Sequence, residues 1–189
     1  MKWITRDHTI IFDSKFNKEL DIDLIRPYFE LIFSDYELNE KIFEHYTNND
    51  FVNLKYVGNN FNKNVSNLPS GLTHLTFGQD FNQNVSNLPP DLIYLKFSNC
   101  FNQNVSKLPQ TIIHLTFGNC FNQDVSKLPQ TITHLTFGYC FNQDVSELPQ
   151  TITHLTFGYC FDQQYNVPSN IKYLKLDCNN SYIINNLPN

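Results

Sequence analysis

The sequence predicts a solenoid, a chain wound into stacked coils that share one parallel β-sheet. The first observation is a fixed period, because Phe recurs every twenty residues from Phe61 to Phe161. The second is the near-identity of residues 121–140 and 141–160, which differ only by Lys127 in one and Glu147 in the other. The third is a short alternating segment in each unit, such as ITHLTF at 132–137. Repeats of about 20–29 residues bury their apolar faces against neighbouring repeats, as a solenoid allows.

The segment at 132–137 predicts the strand of its coil. Ile132, Leu135 and Phe137 follow the L-x-x-L-x-L pattern of leucine-rich repeats. Alternation along a strand turns Leu135 and Phe137 into the core and leaves His134 and Thr136 on the open face. The remaining residues of the coil are too few for a proper helix. We therefore predict a leucine-rich-repeat-type solenoid, β-rich within the α/β class and right-handed, with about nine short parallel strands and little convex helix.

The same register extends beyond the regular copies. Apolar segments centred on Ile10, Leu31 and Leu54 precede them, and one centred on Leu174 follows. We predict that residues 1–50 are degenerate capping repeats and that residues 51–189 are regular repeats with a C-terminal cap, because terminal repeats must present a polar outer face. A small helical N-terminal segment is the alternative, since YELNEKIFEHY has helical spacing.

Composition excludes several classes of function. The chain of 189 residues is 41% hydrophobic and 16% charged, which favours a folded domain. Its net charge of −5 arises in residues 1–50, which carry six Lys/Arg against eleven Asp/Glu. Without a basic stripe, nucleic-acid binding is not expected. The N-terminus has no long apolar run, so we expect no signal peptide, no membrane contact and, for five cysteines, reduced thiols in the cytoplasm.

The repeat unit resembles the FNIP repeat, a leucine-rich-repeat relative found in slime moulds and giant DNA viruses. The residues that carry the resemblance are Phe121-Asn122, Leu128-Pro129, Leu135, Phe137 and Gly138, with their copies. The resemblance implies a protein-interaction solenoid, located in the host cytoplasm if the protein is viral. Many viral members look like substrate receptors, in which an F-box ahead of the repeats docks a ubiquitin ligase. Residues 1–50 depart from that pattern because they contain no Leu-Pro.

The side chains on the concave face are the predicted partner-binding site. Imidazoles, phenols and hydroxyls give contact area and adaptable hydrogen bonds. The alternative is that these residues are merely copied with the repeat. Adjacent imidazolium rings would repel one another, so we also expect binding to weaken or change below about pH 6. The predicted stripe comprises His74, Tyr94, His114, His134, His154 and Tyr173, flanked by Thr76, Lys96, Thr116, Thr136, Thr156 and Lys175.

Two further ladders are predicted to be structural. We expect Cys100, Cys120, Cys140 and Cys160 to be buried, reduced thiols that bond turn backbone; a metal–thiolate row or a disulfide between neighbouring coils is the alternative. Without a C-x-x-C pair, no metal site is predicted. An aromatic spine is expected from Phe81, Phe101, Phe121 and Phe141, with a second row beginning at Phe77.

The predicted function is non-enzymatic. The chain has no phosphate-binding Gly-rich loop, no G-x-S-x-G and no H-E-x-x-H. Duplication also repeats one environment, whereas catalysis needs unlike residues at one point. We therefore expect a protein-interaction module that needs no cofactor. The alternative is a ubiquitin-ligase adaptor docked through residues 1–50. Self-association through the terminal coil at 183–187 is a further expectation, since exposed end strands can pair.

Overall fold

The computed structural model describes residues 3–6, 9–12, 30–33, 53–56, 62, 64–66, 68 and 71–185. These residues form one ten-stranded sheet in which strand order follows chain order. A short helix, α1 (Ser181–Asn185), follows the last strand. The strands are β1 (Trp3–Arg6), β2 (Thr9–Phe12), β3 (Glu30–Phe33), β4 (Asn53–Tyr56), β5 (His74–Thr76), β6 (Tyr94–Lys96), β7 (His114–Thr116), β8 (His134–Thr136), β9 (His154–Phe157) and β10 (Tyr173–Leu176).

Neighbouring strands from β2 to β10 pair in parallel, with equivalent repeat positions opposite each other. Leu115 lies opposite Leu135, which lies opposite Leu155. Toward the N-terminus, Ile10 pairs with Leu31. Because consecutive strands are also neighbours in the sheet, each described segment between β5 and β10 forms one coil. The predicted parallel β-solenoid is therefore confirmed.

Strand β1 is an addition that the sequence analysis missed. It pairs antiparallel with β2, so that Trp3 lies opposite Phe12 and Arg6 opposite Thr9. The first strand expected from the repeat was the one around Ile10. A non-repeated strand leaves no trace in a periodic pattern, although the short spacing between β1 and β2 suits a hairpin. Most of residues 1–50 lie outside the described part, so the division between capping and regular repeats stays a prediction.

The core is built from six apolar positions per coil. In the coil at 121–140 every one of these side chains is at most 2% exposed. Burying a large apolar side chain contributes about 1.5–3 kcal/mol, so these positions dominate the stability of each coil. The six positions are Phe121, Val125, Leu128, Ile132, Leu135 and Phe137.

Two ladders of Phe rings run through this core, as the sequence predicts. Across the turn that joins two coils, the rings of Phe117 and Phe121 stack with centroids 3.7 Å apart. Between equivalent positions of successive coils the distance is 5.6 Å from Phe117 to Phe137 and 6.1 Å from Phe121 to Phe141. The rings are nearly parallel, with interplanar angles of 6–8°. Offset stacking adds to the stabilisation from burial.

The return path of each coil consists of short turns. Backbone hydrogen bonds close turns from Gly118 to Phe121, from Val125 to Leu128 and from Pro129 to Ile132. Asp124 supports the second turn because its carboxylate accepts a hydrogen bond of 2.8 Å from the backbone N–H of Ser126. Between residues 71 and 180 no helix interrupts this path. The expectation of little convex helix holds over this stretch.

Polar side chains connect successive coils. The Oδ1 atom of Asn102 accepts hydrogen bonds from the backbone N–H of Asn122, at 2.9 Å, and from the Gln123 amide, at 3.0 Å. The backbone N–H that each asparagine bonds belongs to the next coil. The Thr131 hydroxyl forms a second link, to the carbonyls of Gln110 and Ile112 in the preceding coil.

Glycine follows the strand in several coils because the backbones approach closely there. A Cβ atom on Gly138 would overlap the backbone carbonyl of Gly118, and one on Gly158 would overlap that of Gly138. The obstructing atoms are backbone atoms, which cannot rotate away. Glycine at the end of the strand therefore permits the close approach of neighbouring coil backbones. In the coil at 81–100 the same place is taken by Ser98, whose hydroxyl donates to the Phe81 carbonyl at 2.7 Å.

The C-terminal coil ends on α1. Asn180 is 2% exposed and donates from its amide to the Gln163 carbonyl at 2.8 Å. Its Oδ1 atom accepts from the N–H of Ile183 at 3.2 Å, as expected for a residue preceding a helix. Leu174 and Leu176 in β10 are only half-buried, whereas Leu155 in β9 is fully buried. The outermost coil therefore covers less of its apolar face.

Candidate functional site

A row of rings crosses the open face of the sheet, one ring per strand from β5 to β10. Its central members are closest, since the ring centroids of His114 and His134 lie 4.2 Å apart and those of His134 and His154 lie 4.1 Å apart. At the ends, His74 lies 5.8 Å from Tyr94, and His154 lies 6.0 Å from Tyr173. The remaining step, from Tyr94 to His114, is 6.2 Å. The parallel register brings the predicted ring residues into one continuous row.

A row of hydroxyls and ammonium groups runs beside the rings. Thr116 and Thr136 are half-buried, whereas Lys96 is exposed. Lys175 forms a salt bridge of 2.9 Å with Asp177, a pairing that the sequence analysis did not foresee. We call the two rows together the strand-face stripe. Its members are His74, Tyr94, His114, His134, His154, Tyr173, Thr76, Lys96, Thr116, Thr136, Thr156 and Lys175.

Threonines orient two of the central imidazoles. The Thr133 hydroxyl lies 2.8 Å from Nδ1 of His134, and the Thr153 hydroxyl lies 2.9 Å from Nδ1 of His154. One hydrogen is shared in each pair, donated by either the hydroxyl or the ring nitrogen. His114 follows Ile113, which carries no hydroxyl. The Nε2 edges of the oriented rings are the atoms left to meet a partner.

The central imidazole resists protonation. The pKa of His134 lies below its ordinary value, chiefly because burial removes water from the charged ring and also because His114 and His154 would repel it. From the sequence we expected repulsion between neighbouring rings to be the cause of this lowered pKa. Desolvation is the larger cause, since the rings on either side shield His134 from solvent.

The structure adds a tyrosine pair that the sequence analysis passed over. Tyr139 and Tyr159 are 50% and 62% exposed, and their rings stack with centroids 5.1 Å apart. They occupy the turn after the strand, where earlier coils carry Asn99 and Asn119. The signal was present as a change from Asn to Tyr at one repeat position. Exposed, stacked aromatic rings extend the surface available to a partner.

The cysteine ladder is placed differently from the prediction. Cys120 and Cys140 are exposed, Cys100 and Cys160 are half-buried, and all four are free thiols. The prediction of buried thiols is therefore wrong for Cys120 and Cys140.

The predicted role of the cysteine side chains is also wrong. The turn is held by the cysteine backbone, for example through the hydrogen bond of 2.8 Å from the Cys140 N–H to the Asn119 carbonyl. Phe121 and Phe141 instead fill the core below this turn, where they are fully buried. The side chain that precedes each of these Phe residues is thereby left at the surface.

The described part of the chain has neither a cluster of metal ligands nor a membrane-spanning helix. There, no group of three or more His, Cys, Asp and Glu side chains converges as metal ligands would. The described residues also include no helix with the length and apolar character needed to span a bilayer.

Parallel coils, an L-x-x-L-x-F strand and a ring-bearing open face define a leucine-rich-repeat-like solenoid. The family model of the FNIP repeat matches residues 61–100, 101–140 and 121–160, which together cover more than half of the chain. The chain belongs to the FNIP-repeat family. A comparison with curated protein sequences found no match.

A solved structure shares this architecture. The crystal structure of CroV588, described as a novel circular LRR protein, superposes with a TM-score of 0.71 at 27% sequence identity. The match covers 93% of this chain and 35% of CroV588, so the chain spans about a third of that protein's length. The similarity supports the leucine-rich-repeat-like fold over nearly the whole chain.

Proposed function

We propose that this chain is a non-enzymatic protein-interaction module whose partner binds the strand-face stripe. The observation that carries the proposal is the continuous row of six rings, with every neighbouring pair of centroids between 4.1 and 6.2 Å apart. Such a row gives a partner contact area that loses little conformational entropy on binding, because the rings already pack on one another.

The chemistry of the stripe indicates which partner surface would fit. The stripe contains imidazoles, phenols, hydroxyls and two lysines, but no carboxylate. Lys175 is paired with Asp177, which leaves Lys96 as the cation best placed to meet an acidic group. A partner that offers carbonyl or carboxylate oxygens beside an apolar surface complements these donors. Recognition then depends on side chains, because the strand backbones bond to one another within the sheet.

The test is a capture experiment with two triple variants. The His114→Ala/His134→Ala/His154→Ala variant removes the centre of the stripe. Its matched control is Lys107→Ala/Lys127→Ala/Glu147→Ala, which changes one exposed residue on the return path of each of the same three repeat units. Both variants are first compared with the wild type by circular dichroism. Partners from a cell lysate are then identified by mass spectrometry and their affinities remeasured with purified protein.

We expect a partner that binds the wild type and the control equally but loses at least about 10-fold in affinity for the histidine variant. Equal affinity for all three proteins would place binding elsewhere and contradict the proposal. Binding at about pH 5.5 should also differ from binding at about pH 7.5, since protonation would place like charges side by side in the stripe.

Several finer features of the array are part of the same proposal. The coils are right-handed, as nearly all connections between parallel strands are. The parallel strands number about nine, with residues 1–50 capping them. The protein acts in the cytoplasm, where its thiols stay reduced. The ubiquitin-ligase adaptor role stays a prediction from the family resemblance, because residues 13–29 and 34–52 lie outside the described part.

A further inference from the structure

The free thiols Cys100, Cys120, Cys140 and Cys160 form a surface row, which we call the thiol row. They occupy the same turn position in four consecutive coils, and the backbones of these turns are directly hydrogen-bonded to one another. The N–H of Cys120 donates to Asn99 and that of Cys140 donates to Asn119, both at 2.8 Å. These backbone hydrogen bonds therefore keep the cysteine positions of neighbouring coils aligned, and the alignment does not depend on a bound ligand.

Two distances between equivalent positions of adjacent coils indicate the spacing of the thiol row. The rings of Tyr139 and Tyr159, which immediately precede two of the cysteines, are stacked 5.1 Å apart. At the first rung, Sγ of Cys100 lies 4.0 Å from Oδ1 of Asp80, the residue in the same position of the preceding coil. Both distances are close to the spacing of about 4.8 Å between neighbouring strands, so we expect adjacent thiols of the row to lie about 4–5 Å apart.

This separation matches two metal–sulfur bonds placed end to end. A zinc–thiolate bond is about 2.3 Å long, so a linear S–metal–S bridge with bonds of similar length spans about 4.6 Å. Four ligands around one ion are not available, because the described part of the chain has no group of three converging ligands. Zinc prefers a closed tetrahedral set, whereas soft monovalent ions accept two thiolates in a line.

We propose that adjacent thiols of the row bind a soft monovalent cation, Cu(I), as a linear bis-thiolate bridge between neighbouring coils. The pair Cys120–Cys140 is the site best placed, since both side chains are exposed and both lie away from the Asp80 carboxylate. Each bridge forms two Cu–S bonds, and two thiol protons pass to the solvent. Copper enters as Cu(I), so no electron transfer is required. Four thiols allow at most two such ions per chain.

The surroundings of Cys100 also favour a copper site at Cys120–Cys140 over one that includes Cys100. Burial raises the pKa of the Cys100 thiol, and the nearby Cys120 thiol and Asp80 carboxylate raise it further. A bis-thiolate bridge carries a net negative charge, which Asp80 would disfavour at the first rung. The bridge is therefore expected to form first among the later rungs. This site is independent of the strand-face stripe and of the proposed partner binding.

The decisive experiment compares two variants that keep the same number of row thiols. Cys100→Ser/Cys160→Ser retains the adjacent pair Cys120–Cys140. Cys100→Ser/Cys140→Ser retains Cys120 and Cys160, which lie two coils apart. Both lack the thiol beside Asp80, and both keep the buried Cys178. Each fully reduced protein is titrated anaerobically with Cu(I) in competition with bicinchoninate, and copper–thiolate absorption and proton release are recorded.

We expect the adjacent-pair variant to bind one Cu(I) per chain, release two protons and hold the ion about 100-fold more tightly than the separated-pair variant. Light scattering that shows copper-linked dimers of the separated-pair variant would also support the proposal. Such dimers would mean that two thiols two coils apart cannot bind one ion within a chain and do so only between chains. Equal affinity and stoichiometry in two folded monomeric variants would overturn it, as would a wild type that binds no Cu(I) in this competition. Circular dichroism of both apo proteins checks that serine leaves the coil intact.

Discussion

The Oδ1 atom of Asn122 accepts a hydrogen bond of 2.9 Å from the backbone N–H of Asn142, one full coil further along the chain. The same oxygen accepts a second bond of 3.1 Å from the amide of Gln143. Equivalent bonds recur from Asn62 onward, so each asparagine holds the return path of the following coil. The coils are thus joined on their return side as well as through the sheet.

Replacing Asn122 by Ala should destabilise the array. The substitution leaves the Asn142 N–H and the Gln143 amide without their acceptor in a part-buried setting, at a cost of about 1–3 kcal/mol in the free energy of unfolding. Urea unfolding followed by circular dichroism measures the change. The control is Glu147→Lys, which reproduces the residue found at position 127 and should shift stability by less than about 0.5 kcal/mol. Equal losses in both variants would contradict the assigned role.

Replacing Gly138 by Ala should lower the free energy of unfolding by more than the small volume of the added methyl group suggests. The added Cβ would overlap the carbonyl oxygen of Gly118, so the two coils must separate locally. We expect a loss of about 3 kcal/mol or more, because neither backbone can yield without weakening the sheet. Asn119→Ala, at an exposed position of the adjacent turn, is the matched control and should stay within about 0.5 kcal/mol of the wild type. A Gly138 variant as stable as this control would rule out the close-approach explanation.

Replacing Phe121 by Ala should both destabilise the protein and reduce its cooperativity. The ring is fully buried and stacks on Phe117 at 3.7 Å, so its loss should cost about 3–5 kcal/mol. Solenoid stability is a sum of coil and interface contributions, and a deficit in one coil weakens coupling between the flanking segments. Calorimetry should therefore show a broadened or split transition. Tyr139→Ala, which removes an exposed ring, should leave a single transition; identical traces for the two variants would refute this account.

The stability of the array should fall in mild acid, partly through His134. Because its pKa is lowered on folding, the unfolded chain binds more protons between that lowered value and the ordinary pKa of about 6.5. Stability is therefore unaffected by the protonation of His134 above the ordinary pKa, and it falls as the pH drops from the ordinary pKa to the lowered one. Unfolding midpoints at about pH 7.5 and about pH 5.5 should therefore differ less in His134→Gln than in the wild type. An unchanged difference would show that His134 is not responsible.

Much of this architecture follows from periodicity alone. When one unit is repeated at a constant length, equivalent residues must stack, so Leu135 lies between Leu115 and Leu155 and the imidazoles of His114 and His134 become neighbours. Apolar positions in a repeated coil have only the next coil to bury against, which places Phe121 and Phe137 in the core. Strand positions, the aromatic spine and the ring row could therefore be predicted without coordinates.

Other features depend on the path of the backbone between the strands, which a repeating pattern does not specify. Whether Cys140 points inward or outward is decided by a tight turn that directs Phe141 into the core and leaves the thiol exposed. The need for glycine at 138 arises from the distance between two coil backbones, and the Asn122 acceptor finds its donors only after the coils have stacked. Strand β1 is not repeated and so left no periodic signal. Periodicity specifies which residues become neighbours, whereas the folded turns decide which of their atoms meet and which face the solvent.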